Sequence, residues 1–331
     1  MRIINYITCL VLASIVFSSC KKDEEVTPLD PNNPDLETPE PDWKLINPVT
    51  LLDQLNIDKI TYSYEGGTTV TTFHYNSNGK LLKLVEYNEY TKDVLKMELE
   101  TVYEFVYQNN SLIRTTRNYN DHVIFGEDEY YDEYADSLEY SYNNNGLIDQ
   151  IRIVDDGHED KIVTREYDIH NRLIKQVISN GLEILTNYYE WDGNNIVKAT
   201  EYSKILNDVA RKLSFSPLHD KMILSSMSGR IKAEDQIHRE YFYTEYDNKN
   251  NPLCFMSIIK VHNINEYLPQ NNVVNVSIKL YYLYDDHAGE LAGEWSNEYS
   301  YEYNNNDQVT KTFTLYNGIG TARATMSIEY K

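Results

Sequence analysis

The sequence predicts an all-β fold in which consecutive antiparallel hairpins form one curled or barrel-like repeat sheet. Three observations predict it: an aromatic residue that recurs seven times, turn-forming residues directly after each aromatic, and alternation of apolar and polar residues between the turns. The repeat aromatics are Tyr75, Tyr107, Tyr142, Tyr167, Trp191, Tyr246 and Tyr303. Each unit is therefore expected to be a strand, a tight turn and a second strand.

The residues after each aromatic favour a tight turn. The first is Asn or Asp in six of the seven units, and the fourth is Gly, Ser, Asn or Asp in all of them. These residue types reach positive φ at low cost or hydrogen-bond their own backbone. We expect the second strand to begin at the apolar residue six positions after the aromatic. These residues are Leu81, Ile113, Ile148, Leu173, Val197, Pro252 and Val309.

The segment before Tyr107 shows the strand pattern. It places Leu95, Met97, Tyr103 and Phe105 on one face of an extended chain and three glutamates, a lysine and two valines on the other. A helix would not separate these side chains. The pattern predicts half-buried antiparallel strands with one packed face and one wet face.

The spacing of the repeat is irregular. Trp191 follows Tyr167 by 24 residues, whereas Tyr303 follows Tyr246 by 57. Units of this size bury their apolar faces against neighbouring units. A net-basic stretch interrupts the spacing before Tyr246, and an insertion is expected at residues 203–239.

Two motifs resemble a known repeat family. The run Tyr-x-Tyr-Asn-Asn-Asn-Gly-Leu-Ile at Tyr140 to Ile148, and Glu166-Tyr167-Asp168 with Leu173 following, are similar to the YD repeats of RHS-type proteins. The run from Tyr246 to Pro252 resembles the late repeat of Bacteroidota surface lipoproteins with a domain of unknown function. The resemblance covers most of residues 60–331 and supplies no catalytic residues. The chain is short and has no sign of the self-cleaving core or toxin of RHS proteins, which argues against an encapsulating role.

The start of the chain resembles a bacterial lipoprotein signal, expected at residues 1–19. Arg2 precedes an apolar run that ends in Phe17-Ser18-Ser19-Cys20, and this run is too short for a membrane-spanning helix. The resemblance implies that Cys20 is lipidated, although Phe17 departs from the usual aliphatic residue. An ordinary secretory peptide, cut elsewhere, is the alternative. Several buried acyl chains would hold the protein at the membrane permanently.

The residues after Cys20 predict a tether. Residues 20–48 begin with Lys-Lys-Asp-Glu-Glu, which resembles the export signal of Bacteroidota surface lipoproteins, and continue as an acidic, proline-rich stretch. Such a stretch stays extended and unfolded. The protein is therefore expected in the outer membrane, lipid-anchored and facing the cell surface, with a periplasmic orientation as the alternative. The β-repeat domain is expected at residues 49–331.

Charge and motifs exclude several classes of function. With 52 acidic and 30 basic side chains the formal net charge is −22, so no nucleic-acid partner is expected. The sequence has no motif for nucleophilic catalysis, phosphate binding or zinc, so no catalytic residue, metal site or cofactor is assigned. Cys254, the cysteine left after Cys9 and Cys20, is expected to be a buried small hydrophobic residue.

Clustered aromatics provide the candidate ligand site. Tyr189, Trp191, Tyr241 and Tyr243 lie in strands where neighbouring side chains point to opposite faces, so some rings are expected to face water and to stack on sugars. The alternative is that they are cross-strand pairs that stabilise the sheet. Ser137, in Asp136-Ser137-Leu138, resembles the O-glycosylation acceptor of Bacteroidota exported proteins.

Two functions remain after these exclusions. The first is a non-catalytic surface lipoprotein that binds a glycan or an outer-membrane protein, or acts as a scaffold. The second is a surface hydrolase that acts on a polymer, for which a concave site with convergent carboxylates of perturbed pKa is expected. An RHS-like structural shell fragment is a further alternative.

Overall fold

Sixteen antiparallel strands close into one barrel in the computed structural model, which confirms the predicted fold class. The structure describes residues 49, 52, 55–155, 161–179, 183–205, 236–262, 264–267, 269, 271–282, 289–317 and 322–331. Each strand pairs with its neighbours in the chain, and the first strand pairs with the last. The predicted signal segment and the tether lie outside the described residues.

The barrel is a succession of hairpins. Its strands are β1 (Ile57–Tyr64), β2 (Gly67–Tyr75), β3 (Leu81–Lys92), β4 (Leu95–Gln108), β5 (Ser111–Phe125), β6 (Asp128–Tyr142), β7 (Ile148–Asp155), β8 (Lys161–Tyr167), β9 (Leu173–Ser179), β10 (Glu183–Asp192), β11 (Asn195–Ile205), β12 (Gln236–Asn250), β13 (Asn271–Tyr281), β14 (Leu291–Tyr303), β15 (Val309–Asn317) and β16 (Ala322–Tyr330). Because the strands alternate in direction, the repeat turns after β2, β4, β6, β8, β10 and β14 lie at one end, here called the repeat end. The turns after β1, β3 and β5 lie at the other end, here called the mouth.

The repeat turns have the predicted chemistry. The Oδ1 atom of Asn76 accepts hydrogen bonds from the backbone N–H groups of Asn78, at 2.9 Å, and Lys80, at 3.0 Å. Gly79 has a φ of +81° and Asn171, at the same repeat position, a φ of +64°. Asn143, Asp168 and Asn304 accept the same pair of bonds. The turn residues are therefore accounted for by local backbone geometry.

Two of the predicted apolar positions were wrong by one residue. The turn after β4 contains only Asn109 and Asn110, both at positive φ, so Leu112 pairs with Tyr107 and is fully buried. Ile196 likewise occupies the buried position that was predicted for Val197, and Val197 is exposed. A shorter turn moves the buried position from six to five residues after the aromatic, since one step along a strand reverses the side chain.

The prediction for Pro252 was also wrong. The chain does not begin a strand there but leaves the wall after β12 and returns as β13. The described residues between these strands, 251–262, 264–267 and 269, are here called the plug. The plug contains two short 3₁₀ helices, Cys254–Ile258 and Ile264–Glu266. Of the expected insertion at residues 203–239, both edges are strand, in β11 and β12, and the rest lies outside the described residues.

The repeat aromatics form a hydrogen-bonded series around the repeat end, here called the aromatic ladder. In each hairpin pair, an aromatic on the even-numbered strand donates to a backbone carbonyl at the start of the preceding odd-numbered strand, over 2.5–2.9 Å. The donors are Tyr75, Tyr107, Tyr142, Tyr167, Trp191, Tyr246, Tyr301 and Tyr330. The repeat aromatic Tyr303 departs from the series, since its hydroxyl bonds to the Asp247 carboxylate. The ladder joins all sixteen strands two by two.

Candidate functional site: the lumen and mouth of the barrel

The plug lies inside the barrel. Its side chains Phe255, Ile258 and Ile259 are about 1% exposed. The ring of Phe255 is 6.0 Å from that of Phe73 on β2, and the plug also contacts β3, β4, β5, β8, β9, β10 and β12. One segment touches strands so widely separated only from the lumen. Cys254 is buried here, as predicted, and burial raises the pKa of its thiol to about 12.

Polar side chains of the wall hold the plug by its backbone. Arg165 donates to the Ser257 carbonyl at 2.7 Å, and Gln176 donates to the Val261 carbonyl at 2.9 Å. Tyr243 donates to the Asn265 carbonyl at 2.7 Å. Two short 3₁₀ helices leave many carbonyl groups of the plug without partners inside their own segment. These inward side chains supply the partners that such a segment lacks.

Two charged pairs close the upper side of the plug, toward the mouth. Arg117 binds both carboxylate oxygens of Asp136, at 2.6 and 2.5 Å, and reaches the Ile259 carbonyl at 3.4 Å. Lys260 lies 2.9 Å from the Glu86 carboxylate. Burial acts to lower the pKa of Lys260, but Glu86 holds it well above its usual value, so the ammonium stays charged. Both cations at this level of the lumen are therefore paired with a carboxylate.

Among the described plug residues, His262 has an exposed side chain. Desolvation by the surrounding protein and the nearby charges of Lys161 and Arg117 lower the pKa of its imidazole to about 4. The ring is therefore neutral at physiological pH.

Above the plug, two rows of inward side chains from β1 to β6 line the mouth; they are here called the vestibule rows. The strand register aligns the first row, and its members are Tyr64, Gly67, Tyr90, Met97, Val123 and Tyr130. The second row consists of Tyr62, Thr69, Asn88, Leu99, Asp121 and Asp132. Along β6 the inward face changes from Leu138, fully buried, to Tyr130, 51% exposed. The barrel is therefore open to water at this end.

Two rings of the vestibule rows lie flat because glycines make room for them. A Cβ atom on Gly67 would lie 2.6 Å from the Tyr64 ring, and one on Gly66 would lie 3.1 Å from the Tyr90 ring. The two tyrosine rings are nearly parallel, with centroids 6.2 Å apart. The Tyr64 hydroxyl donates to Asn88 at 3.3 Å. Sequence reasoning missed this feature, although Tyr64-Glu65-Gly66-Gly67 is the only adjacent glycine pair in the chain.

Two carboxylates face each other in the second vestibule row. Asp121 on β5 is directly opposite Asp132 on β6, just above the stacked rings of Tyr119 and Tyr134. Partial burial and the facing charge of Asp132 raise the pKa of Asp121 to about 6. Like charges directly opposite on a sheet are destabilising, so the pair costs the fold some stability.

The structure brings the four predicted ligand-binding aromatics together in one hydrophobic cluster. Tyr189 and Tyr243 are 5% and 6% exposed and belong to the core, so neither is the water-facing ring of its cluster. Tyr241 packs against the same cluster, and Trp191 belongs to the aromatic ladder. The exposed ring in this region is Tyr188. Sugar binding by the four stays a prediction.

The predicted glycosylation residue Ser137 lies in an acidic hairpin that β5 and β6 form. Asp136 points inward to Arg117, and the next residue, Ser137, lies on the opposite, outer face of β6. O-glycosylation of Ser137 stays a prediction. Within the described residues, no group of three or more His, Cys, Asp or Glu side chains is placed to hold a metal ion.

The outer wall is charged around its circumference. Cross-strand ion pairs lie on it between Lys59 and Glu329, at 2.7 Å, and between Arg152 and Glu139, at 3.2 Å. Lys175 and Glu166 form another at 2.8 Å. A wall in contact with lipid would carry an apolar outer band instead. In the described part of the chain, no helix is long and apolar enough to cross a membrane.

The fold and site of the described residues define a closed, plugged β-barrel with a polar outer wall and a mouth that is open to water. No family model matches the chain, and no curated protein is similar to it. Among solved structures, a porin-like protein from Bacteroides uniformis shares 12% identity and a TM-score of 0.48, over 84% of this chain and 98% of that one. A porin-like protein from Bacteroides vulgatus shares 11% identity and a TM-score of 0.38, over 83% of this chain and 98% of that one.

Proposed function

We propose that the protein is a lipid-anchored outer-membrane protein, exposed at the cell surface, whose barrel is a non-catalytic binding or scaffold module for a glycan or an outer-membrane protein. The observation that carries this proposal is the combination of a charged outer wall and a filled lumen. A charged wall is unsuited to lipid, and a lumen closed by the plug is unsuited to conduction. The barrel therefore lies outside the bilayer and stays close to the membrane surface.

The anchor belongs to the same proposal. A charged barrel needs a separate attachment, and the lipoprotein-like signal ending at Cys20 provides one through acylation. The acidic, proline-rich tether keeps the barrel away from the bilayer. The resemblance to YD-repeat surface lipoproteins supports this placement, and membership in that group is part of the proposal.

Metabolic labelling and protease access test the anchor and its orientation. In the native host, the protein is expected to incorporate radiolabelled palmitate and to be digested by proteinase K added to intact cells. Cys20→Ala is expected to abolish labelling, whereas the matched control Cys254→Ala keeps it, since that thiol is buried in the plug. Labelling without digestion would place the barrel in the periplasm, and absence of labelling would refute the anchor.

The polymer hydrolase remains a second candidate because of one observation. Glycosidases use a pair of carboxylates, and Asp121 and Asp132 face each other in the open mouth with a raised pKa on the first. The measurement is release of reducing ends from glycans by the purified protein. Hydrolysis that Asp132→Asn abolishes would establish the enzyme. If no reducing ends are released from any glycan that the protein binds, the hydrolase candidate is excluded.

A further inference from the structure

We propose that the mouth of the barrel is a carbohydrate-binding site for neutral oligosaccharides, in which Tyr64 and Tyr90 supply the ring faces and the second vestibule row supplies the polar contacts. The inference rests on the proposed function as a binding module, but not on the anchor or its orientation. It assigns the ligand to the lumen side of β1 to β6, away from the four aromatics that the sequence singled out.

The rings of Tyr64 and Tyr90 are pre-positioned. Gly66 and Gly67 let them lie against the backbone, where any larger residue at position 67 would meet the Tyr64 ring and the Glu89 carbonyl. Tyr62 extends the set, with its ring centroid 5.6 Å from that of Tyr64. Rings fixed in this way lose little entropy when a ligand binds. They place partly exposed aromatic rings at an entrance that is open to water.

A fixed polar network surrounds these rings. Asn88 accepts from the Tyr64 hydroxyl and donates to Thr69 at 2.9 Å. The Tyr62 hydroxyl lies 2.7 Å from that of Tyr316, on β15 across the barrel seam. Amide and hydroxyl groups are therefore held beside the ring faces. A sugar ring has the matching chemistry, because its C–H face is apolar and its hydroxyl groups lie around the edge.

The carboxylates select the charge of the ligand. Asp121 and Asp132 lie in the same row as Tyr62 and Asn88. Carboxylates accept strong hydrogen bonds from hydroxyl groups. With the formal net charge of −22, they also repel acidic glycans. A neutral oligosaccharide satisfies both conditions.

The plug sets the depth of the site. Lys260 and Glu86 form their ion pair one row below the second vestibule row, so the lumen is occupied from that level downward. A ligand that enters the mouth meets this floor after two rows of side chains. The site therefore accommodates a chain end or a short stretch rather than a chain threaded through the barrel.

A glycan array followed by calorimetry tests the inference. The full-length protein in detergent is applied to an array of neutral and acidic oligosaccharides, and the strongest neutral ligand is then titrated. Tyr90→Ala is expected to weaken its association constant about ten-fold by removing a stacking ring. The matched control is Tyr87→Ala, on the outer face of the same strand, where no loss is expected.

Two further variants separate the site from general damage to the fold. Gly67→Ala displaces the Tyr64 ring without removing a polar group, and Asp132→Asn removes a charge; both are expected to weaken binding. Glu133→Gln, one residue from Asp132 and on the outer face, is the control for the second. Thermal unfolding of each variant shows whether it is folded.

Three results would overturn the inference. The protein could bind no neutral oligosaccharide, or it could prefer acidic oligosaccharides. The third result is an equal loss of binding affinity in folded variants of the mouth and of the outer face. Palmitate labelling and protease digestion of the same strain report separately on the proposed function. A surface-exposed protein whose folded mouth variants bind as well as the parent would leave that function standing and refute the site.

Discussion

The repeat end and the mouth of the barrel use the same strands and the same residue type in different ways. At the repeat end, tyrosines such as Tyr107 and Tyr142 donate to carbonyl groups of the neighbouring strand and pack against the core. At the mouth, Tyr64 and Tyr90 lie flat against glycine backbone and remain partly exposed. The difference teaches that tyrosines of the aromatic ladder join strands and pack the core, whereas Tyr64 and Tyr90 keep part of their rings exposed at the mouth.

The plug is expected to contribute most to the stability of the filled half. Phe255→Ala should lower the free energy of unfolding by about 3–5 kcal/mol, because a large buried ring is lost and leaves a cavity. Urea denaturation measures it. Phe313→Ala, on the outer wall and 37% exposed, is the control and should change stability by about 1 kcal/mol or less. Equal losses of stability in the two variants would show that the lumen does not hold the hydrophobic core.

Breaking the charged pair above the plug should cost a similar amount. Arg117→Ala leaves the inward carboxylate of Asp136 without its bidentate partner, which costs about 3–5 kcal/mol for a buried pair. Arg152→Ala removes an outer-wall pair in which both side chains are about half exposed, and its denaturation midpoint should not move. A shift of equal size in both would contradict the contrast between lumen and wall.

The aromatic ladder should contribute in smaller steps. Tyr142→Phe keeps the ring but removes the 2.7 Å bond to the Leu112 carbonyl, so unfolding should become easier by about 0.5–1.5 kcal/mol. Tyr130→Phe in the vestibule rows, 51% exposed, is expected to leave stability unchanged. If the two variants behave alike, the ladder hydroxyls have no structural role.

The smallest effect is a pH dependence at the mouth. The pKa of Asp121 is raised to about 6 in the folded state, so the folded protein holds this proton more tightly than the unfolded chain does. The stabilisation that comes from holding this proton is therefore present below about pH 4 and is lost as pH rises to about 6. The Asp121→Asn variant should therefore become more stable relative to the parent across that interval. A parallel pH profile in the two proteins would exclude the Asp121–Asp132 repulsion.

Sequence patterns predicted the repeat end well because its constraints are local. The side chain of Asn76 bonds two and four residues ahead, and the positive φ of Gly79 follows from the same turn, so both are visible in a short motif. The closure of β1 on β16 was left open, since pairing between residues 57 and 330 leaves no local signal.

The lumen was harder to predict. The run from Pro252 to Val261 is continuously apolar apart from Ser257 and Lys260, which differs from the alternating strands and was the available signal for the plug. Which wall residues meet it depends on sixteen registers at once. The aromatics chosen as ligand candidates, Tyr189 and Tyr243, were selected by density alone, and strand parity places both in the core.

Phase separation in Triton X-114 tests most directly whether the barrel is a water-facing body attached through lipid alone. The parent protein from native envelopes is expected in the detergent phase, and the Cys20→Ala variant in the aqueous phase, because the outer wall carries exposed ion pairs such as Lys59 with Glu329. A Cys20→Ala variant that stays folded and still enters the detergent phase would contradict the account, since the wall itself would then bind the lipid-like phase.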